Sequence, residues 1–185
     1  MSVIGCRDLA VPKPKGYFRI DLPPKNYISF NIPLTENNTL PLSFDYPSYG
    51  TISLDVENQS EPGWFNIEFP AYNAKIYLTY KDVNDDLPDL IEQTYELNVK
   101  NHIMKADAIN EHIIKNQADK IYGILYDLKG NTATSIQFYV TDSTNHYLRG
   151  SLYFSAEPNA DSLAPLIDFF REDIVHLIET LKWKE

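Results

Sequence analysis

The chain has 185 residues, and its 26 Asp and Glu outnumber 16 Lys and Arg to give a formal net charge of −10. That length suits one domain with a core large enough to dispense with metals or crosslinks, and a single cysteine, Cys6, rules out an internal disulfide. Hydrophobic residues at 43% exclude a disordered chain, no run nears the ~18 apolar residues of a membrane-spanning helix, and a pI near 4.8 excludes the basic footprint of a nucleic-acid binder.

Charge is unevenly spread. The first 30 residues carry Arg7, Lys13, Lys15, Arg19 and Lys25 against Asp8 and Asp21, a local charge of +3 that leaves −13 for the rest. A basic leader suits a segment near anionic headgroups, where each cation contributes on the order of 1 kcal/mol, although an ordinary solvated tail has the same composition. Within the leader, Val3-Ile4-Gly5-Cys6 has the form of a bacterial lipobox, in which the cysteine thiol takes up a diacylglyceryl group. Two or three acyl chains on one residue anchor stably where a single chain does not, since each buried CH₂ adds about 0.8 kcal/mol. Five residues precede Cys6 here, fewer than the roughly 7 to 15 apolar residues of a secretory h-region. On residues alone, Cys6 reads as a lipid attachment site or as a free thiol. Pro12, Pro14, Pro23 and Pro24 then favour extended backbone. Residues 1–24 are accordingly expected to be a lipobox remnant and Pro-rich tether, with Tyr17-Phe18-Arg19-Ile20 a possible first strand, and residues 25–185 a single globular domain.

Short alternating segments follow, with the period of half-buried strands. Leu42-Ser43-Phe44-Asp45-Tyr46 and the Ile52, Leu54, Val56 alternation read as one hairpin; Phe65, Ile67, Phe69 and Ala74, Ile76, Leu78, Tyr80 read as another. From Leu87-Pro88 the period turns helical through Ile91, Tyr95 and Asn98 or Val99, with Asp85 or Asp86 as cap. Ile121 to Leu128, Ser135 to Val140 and Tyr147 to Phe154 predict an antiparallel meander, turned at Lys129-Gly130-Asn131 and Thr141 to Asn145. A long helix closes the chain, capped by Asp161 or Ser162, with Leu166, Phe170, Ile174, Leu177 and Leu181 on one stripe. The order predicts an α+β fold, an antiparallel β-sheet covered by helices. With the Tyr46-Pro47 step and the Tyr122-Gly123 pair, it resembles the Mog1/PsbP-like α/β/α sandwich.

Chemistry is sparse. His102, His112, His146 and His176 never pair at i, i+4 spacing, and the densest cluster, His112 with Asp107 and Glu111, matches no zinc pattern. Asp142-Ser143-Thr144-Asn145-His146 could place a serine beside a base, yet the same residues suit a tight turn. No nucleophile elbow and no Gly-rich phosphate loop occurs, and no catalytic residue, metal or cofactor is expected. Thirteen tyrosines offer both core and contact surface.

Four stretches together carry a wider resemblance: Lys13-Pro14-Lys15-Gly16-Tyr17-Phe18-Arg19-Ile20-Asp21-Leu22-Pro23; Phe69-Pro70-Ala71-Tyr72-Asn73-Ala74-Lys75-Ile76-Tyr77; Tyr122 to Asn131 continuing through His146-Tyr147-Leu148-Arg149-Gly150; and Asp161 to Trp183. They resemble the GldD family of gliding-motility lipoproteins of Bacteroidetes. The resemblance implies a lipoprotein anchored to a membrane of the cell envelope through Cys6 and facing the periplasm. It also implies a role in gliding motility and type IX secretion, other proteins of that machinery as partners, and no enzyme activity. Asn131, Asp142, Ser143, His146 and Arg149 fall in the family-like block as candidate surface or turn residues. Two other readings stay open: a small-molecule or lipid-binding module using a cleft between helix and sheet, and a hydrolase built on Ser143 and His146.

Overall fold

The structure is a computed structural model that describes residues 20–30, 40–54, 63–97, 106–155 and 159–184; Cys6 lies outside them, as do Tyr17 to Arg19, Val56, Asn98 and Val99. Its elements are β1 (Tyr27–Ser29), β2 (Leu42–Ser43), β3 (Asp45–Pro47), β4 (Thr51–Leu54), β5 (Trp64–Phe69), a 3-10 turn (Pro70–Tyr72), β6 (Ala74–Asp82), α1 (Leu87–Tyr95), β7 (Ala108–Asn116), β8 (Ile121–Lys129), β9 (Thr134–Thr141), β10 (His146–Phe154), α2 (Ala160–Thr180) and β11 (Lys182–Trp183).

Seven strands form one antiparallel sheet in the order β4-β5-β6-β10-β9-β8-β7, while β1 pairs with β3 and β11 with β2. Strand period puts alternate side chains on opposite faces. One face presents Phe65, Ile67, Ile76, Phe138, Leu148 and Leu152, all at most 1% exposed, to the stripe of α2. Phe170 is fully buried there, its ring centroid 4.5 Å from that of Phe69 and 6.1 Å from that of Phe154. The opposite face packs a smaller cluster of Tyr126, Leu128, Tyr139 and Tyr147 under Leu90 of α1. Helix, sheet, helix is the α/β/α sandwich expected.

The β8-β9-β10 meander and the β5-β6 hairpin follow the sequence reading, with Phe69 opposite Ala74. Three details differ. Leu42–Tyr46 does not form a hairpin with the strand after it: β2 pairs with β11 beyond α2, β3 pairs with β1, and β4 joins β5 instead. Pro47 has no N–H to extend a ladder, and the Gly50 N–H closes a turn on its carbonyl at 2.9 Å, so the chain bends away. Strand β7 has no counterpart among the expected strands: it is an edge, paired only with β8 and exposed along much of its length, and its Ile113-Ile114 pair breaks the alternation. The caps shifted too. Asn159, not Asp161 or Ser162, caps α2 by accepting from the Ser162 N–H at 3.2 Å; the Asp86 carboxylate at the head of α1 accepts from the Asn84 N–H instead of capping.

Candidate functional site

The sequence candidates lie along the β8-β9-β10 meander. Asn131 is exposed in the turn after β8. Asp142 organises the next turn: its Oδ1 accepts the backbone N–H groups of Thr144, Asn145 and His146 at 2.8 to 2.9 Å, and its Oδ2 accepts the Thr144 hydroxyl at 2.9 Å. Burial raises this carboxyl's pKa, but the donors outweigh it and hold the group below its ordinary value. Ser143 sits at φ 70, with its N–H donated to the Thr141 hydroxyl at 3.0 Å. The His146 ring is engaged elsewhere. Its Nδ1 lies 2.8 Å from the Tyr80 hydroxyl, which donates to Asp82 at 2.7 Å, so Nδ1–H is the donor to Tyr80; the ring also stacks on Trp183. Ser143 thus serves the turn, and His146 fastens β6 and the C-terminal strand.

Arg149 has a different setting. It lies on the α1 face of β10, between Thr79 of β6 and Tyr139 of β9 in register, and Thr79 is in turn opposite Trp64 of β5. A groove of about 390 Å³ runs between this row and α1, walled by Arg149, Trp64, Thr79, Ser151, Leu90 and Leu97 among others. Among the described residues Arg149 makes no ion pair or side-chain hydrogen bond, and burial lowers its pKa, offset in part by Tyr147. The buried Trp64 Nε1–H likewise has no partner. Deeper in, the Tyr147 hydroxyl is hydrogen-bonded with Thr94 of α1, and burial raises its pKa to about 12. The sequence offers Arg149 only as a candidate surface or turn residue. It does not offer Trp64 or Thr79, because what sets them apart is register across three strands.

Two clusters on the other face hold α2. Asp173, 1% exposed, accepts Lys25 Nζ at 2.7 Å and the Tyr27 hydroxyl at 3.0 Å on Oδ1, and the Tyr49 hydroxyl at 2.5 Å on Oδ2. Lys25 also sits 3.3 Å from the Phe169 ring centroid, and Tyr27 stacks on His176 with centroids 3.6 Å apart. Contacts of this stretch begin by Ile20, which packs on the core, and Asp21, whose carbonyl accepts the Tyr72 hydroxyl at 3.2 Å. An acid inside an apolar helical stripe is the sequence signal for such a clamp. Nearer the β7 edge, Arg171 Nε bonds both Asp127 oxygens at 3.0 and 3.1 Å, and His112 Nε2 lies 2.9 Å from Oδ2. His112 thus meets Asp127 rather than Asp107 or Glu111. Among the described residues no three His, Cys, Asp or Glu converge as metal ligands, and no helix is long and apolar enough to cross a membrane.

An antiparallel sheet clasped between one long and one short helix is a PsbP-type architecture. The solution structure of cyanobacterial PsbP (CyanoP) from Synechocystis sp. PCC 6803 superposes with a TM-score of 0.50 at 9% identity, covering 88% of this chain and 95% of that one. At that identity the likeness concerns the fold alone. No curated protein matches the chain. Residues 7–183 match the family described as gliding motility lipoprotein GldD, and the chain belongs to that family.

Proposed function

We propose that this protein is acylated at Cys6, faces the periplasm from a membrane of the cell envelope, and supports gliding motility and type IX secretion through contacts with other envelope proteins, without chemistry of its own. The family match over residues 7–183, beginning one residue after Cys6, carries the reading. The lipobox form of Val3-Ile4-Gly5-Cys6 supports anchoring there, and two or three chains suffice for stable attachment. Confinement at the membrane raises the domain's effective concentration for membrane-bound partners. The separate engagements of Ser143 and His146 favour a contact role over hydrolysis. Cells carrying Cys6→Ala are expected to release the protein from membranes and to stop gliding, whereas Ser143→Ala and His146→Ala cells glide. A stably folded Ser143→Ala protein that abolished gliding would reverse the assignment, as would undiminished membrane retention of Cys6→Ala.

A further inference from the structure

We infer that the groove beneath α1 binds a small molecule carrying an oxyanion head, a carboxylate or a phosphate, on a short apolar chain, with Arg149 pairing to the head. The chain as a whole carries −10, yet none of the described residues lining this groove is acidic. On the groove face, the neighbours of Arg149 along and across the strands are Tyr147, Ser151, Thr79 and Tyr139, none able to neutralise a guanidinium. A cation withdrawn from water without an anion is unfavourable, and the lowered Arg149 pKa reports that uncompensated desolvation. A bound oxyanion removes the deficit through charge-assisted hydrogen bonds.

Trp64 supplies the second observation. Its indole Nε1–H is buried in the wall of the same groove without an acceptor. It stands two strands from Arg149, roughly 10 Å by sheet spacing, with the Thr79 hydroxyl between them. Nearly every buried donor in a folded protein finds a partner, and Trp64, Thr79 and Arg149 stand in one row across three strands along this groove. Leu90, Leu97 and Tyr77 provide the apolar wall, the last two 41% and 39% exposed. The volume of about 390 Å³ lies within the ~300–1,000 Å³ of small-ligand sites.

The test uses the full 185-residue chain in solution and reads the Trp64 indole N–H by ¹H–¹⁵N NMR, with Trp183→Phe assigning the two indole peaks. Decanoate and decyl phosphate are titrated below their micellar concentrations, beside decanol, decyltrimethylammonium and acetate. At least one of the two amphiphilic anions is expected to move the Trp64 peak saturably, and which does so names the head. Decanol, the cation and acetate should bind at least tenfold more weakly, and Arg149→Gln should weaken the anion at least tenfold while leaving the Trp183 peak in place. No saturable shift with either anion overturns the inference; so does decanol binding as tightly as the better-bound anion, a comparison that needs no variant. Unchanged affinity in folded Arg149→Gln overturns it equally. These readouts are independent of membrane anchoring and gliding, so the two proposals fail separately.

Discussion

Asp173 is a fully buried carboxylate whose hydrogen bonds come from Lys25, Tyr27 and Tyr49, residues more than a hundred positions earlier. Removing one member of such a pair strands the others, which costs about 3–5 kcal/mol when burial is complete. Lys25 keeps 23% of its side chain exposed, so Asp173→Ala should cost somewhat less, about 2–3 kcal/mol by urea unfolding. The same cluster predicts alkaline behaviour. Burial first, and then Asp173, raise the Tyr27 pKa from 10.0 to about 12, and burial takes Tyr147 to about 12 as well. Because folding raises these values, the stabilisation is whole below pH 10 and is lost as pH climbs through about 12. Absorbance titration at high pH should therefore show a tyrosine fraction ionising only with unfolding, and Tyr27→Phe should lessen the alkaline loss of stability. Gly123, half of the Tyr-Gly pair noticed in the sequence, has a backbone reason: a Cβ there would stand 1.9 Å from the Tyr139 carbonyl oxygen. Gly123→Ala should lower stability by about 1–3 kcal/mol, read from the shift in thermal midpoint.

Among the elements, α2 packs its apolar stripe into the main core, and β7 shows what an edge requires. Phe170→Ala should cost about 3–5 kcal/mol because its ring fills the space between Phe69 and Phe154. Ile113, 84% exposed on β7, should tolerate Thr within about 0.5 kcal/mol in the same denaturation assay. That contrast also separates what the sequence makes legible from what it hides. A helix facing a broad sheet must show a continuous stripe, and covered strands show either alternation, as in β5-β6, or apolar runs bounded by turns, as in β8-β9-β10, so all of these are visible. An edge strand has one partner and a wet surface, so its polar residues carry no pattern. Short ribbons such as β2-β11 are joined by residues some 140 positions apart, and no local period encodes that choice. The groove was half legible for a similar reason: Arg149 stood in a suggestive block, whereas its relation to Trp64 exists only once β5, β6 and β10 lie in register.

At the scale of the molecule, charge is divided between a leader with five cations and a body rich in acids. Without acyl chains, a leader whose Lys25 is already paired with Asp173 should give only weak adhesion to anionic vesicles. In a flotation assay, Cys6→Ala protein should detach at about 0.5 M salt, where screening is nearly complete beyond a few ångströms, while acylated protein stays bound.

The route by which the leader enters the domain has a mechanical corollary. Residues 20–29 are fastened in series, by Ile20 on the core, Asp21 on Tyr72, Lys25 and Tyr27 on Asp173, and β1 on β3. A tug on the N-terminal side is therefore shared among side-chain rivets on the long helix and its neighbours before any rung of the seven-stranded ladder feels it. Such a mount lets the sheet, and the groove on the far side, keep their shape while the leader is pulled.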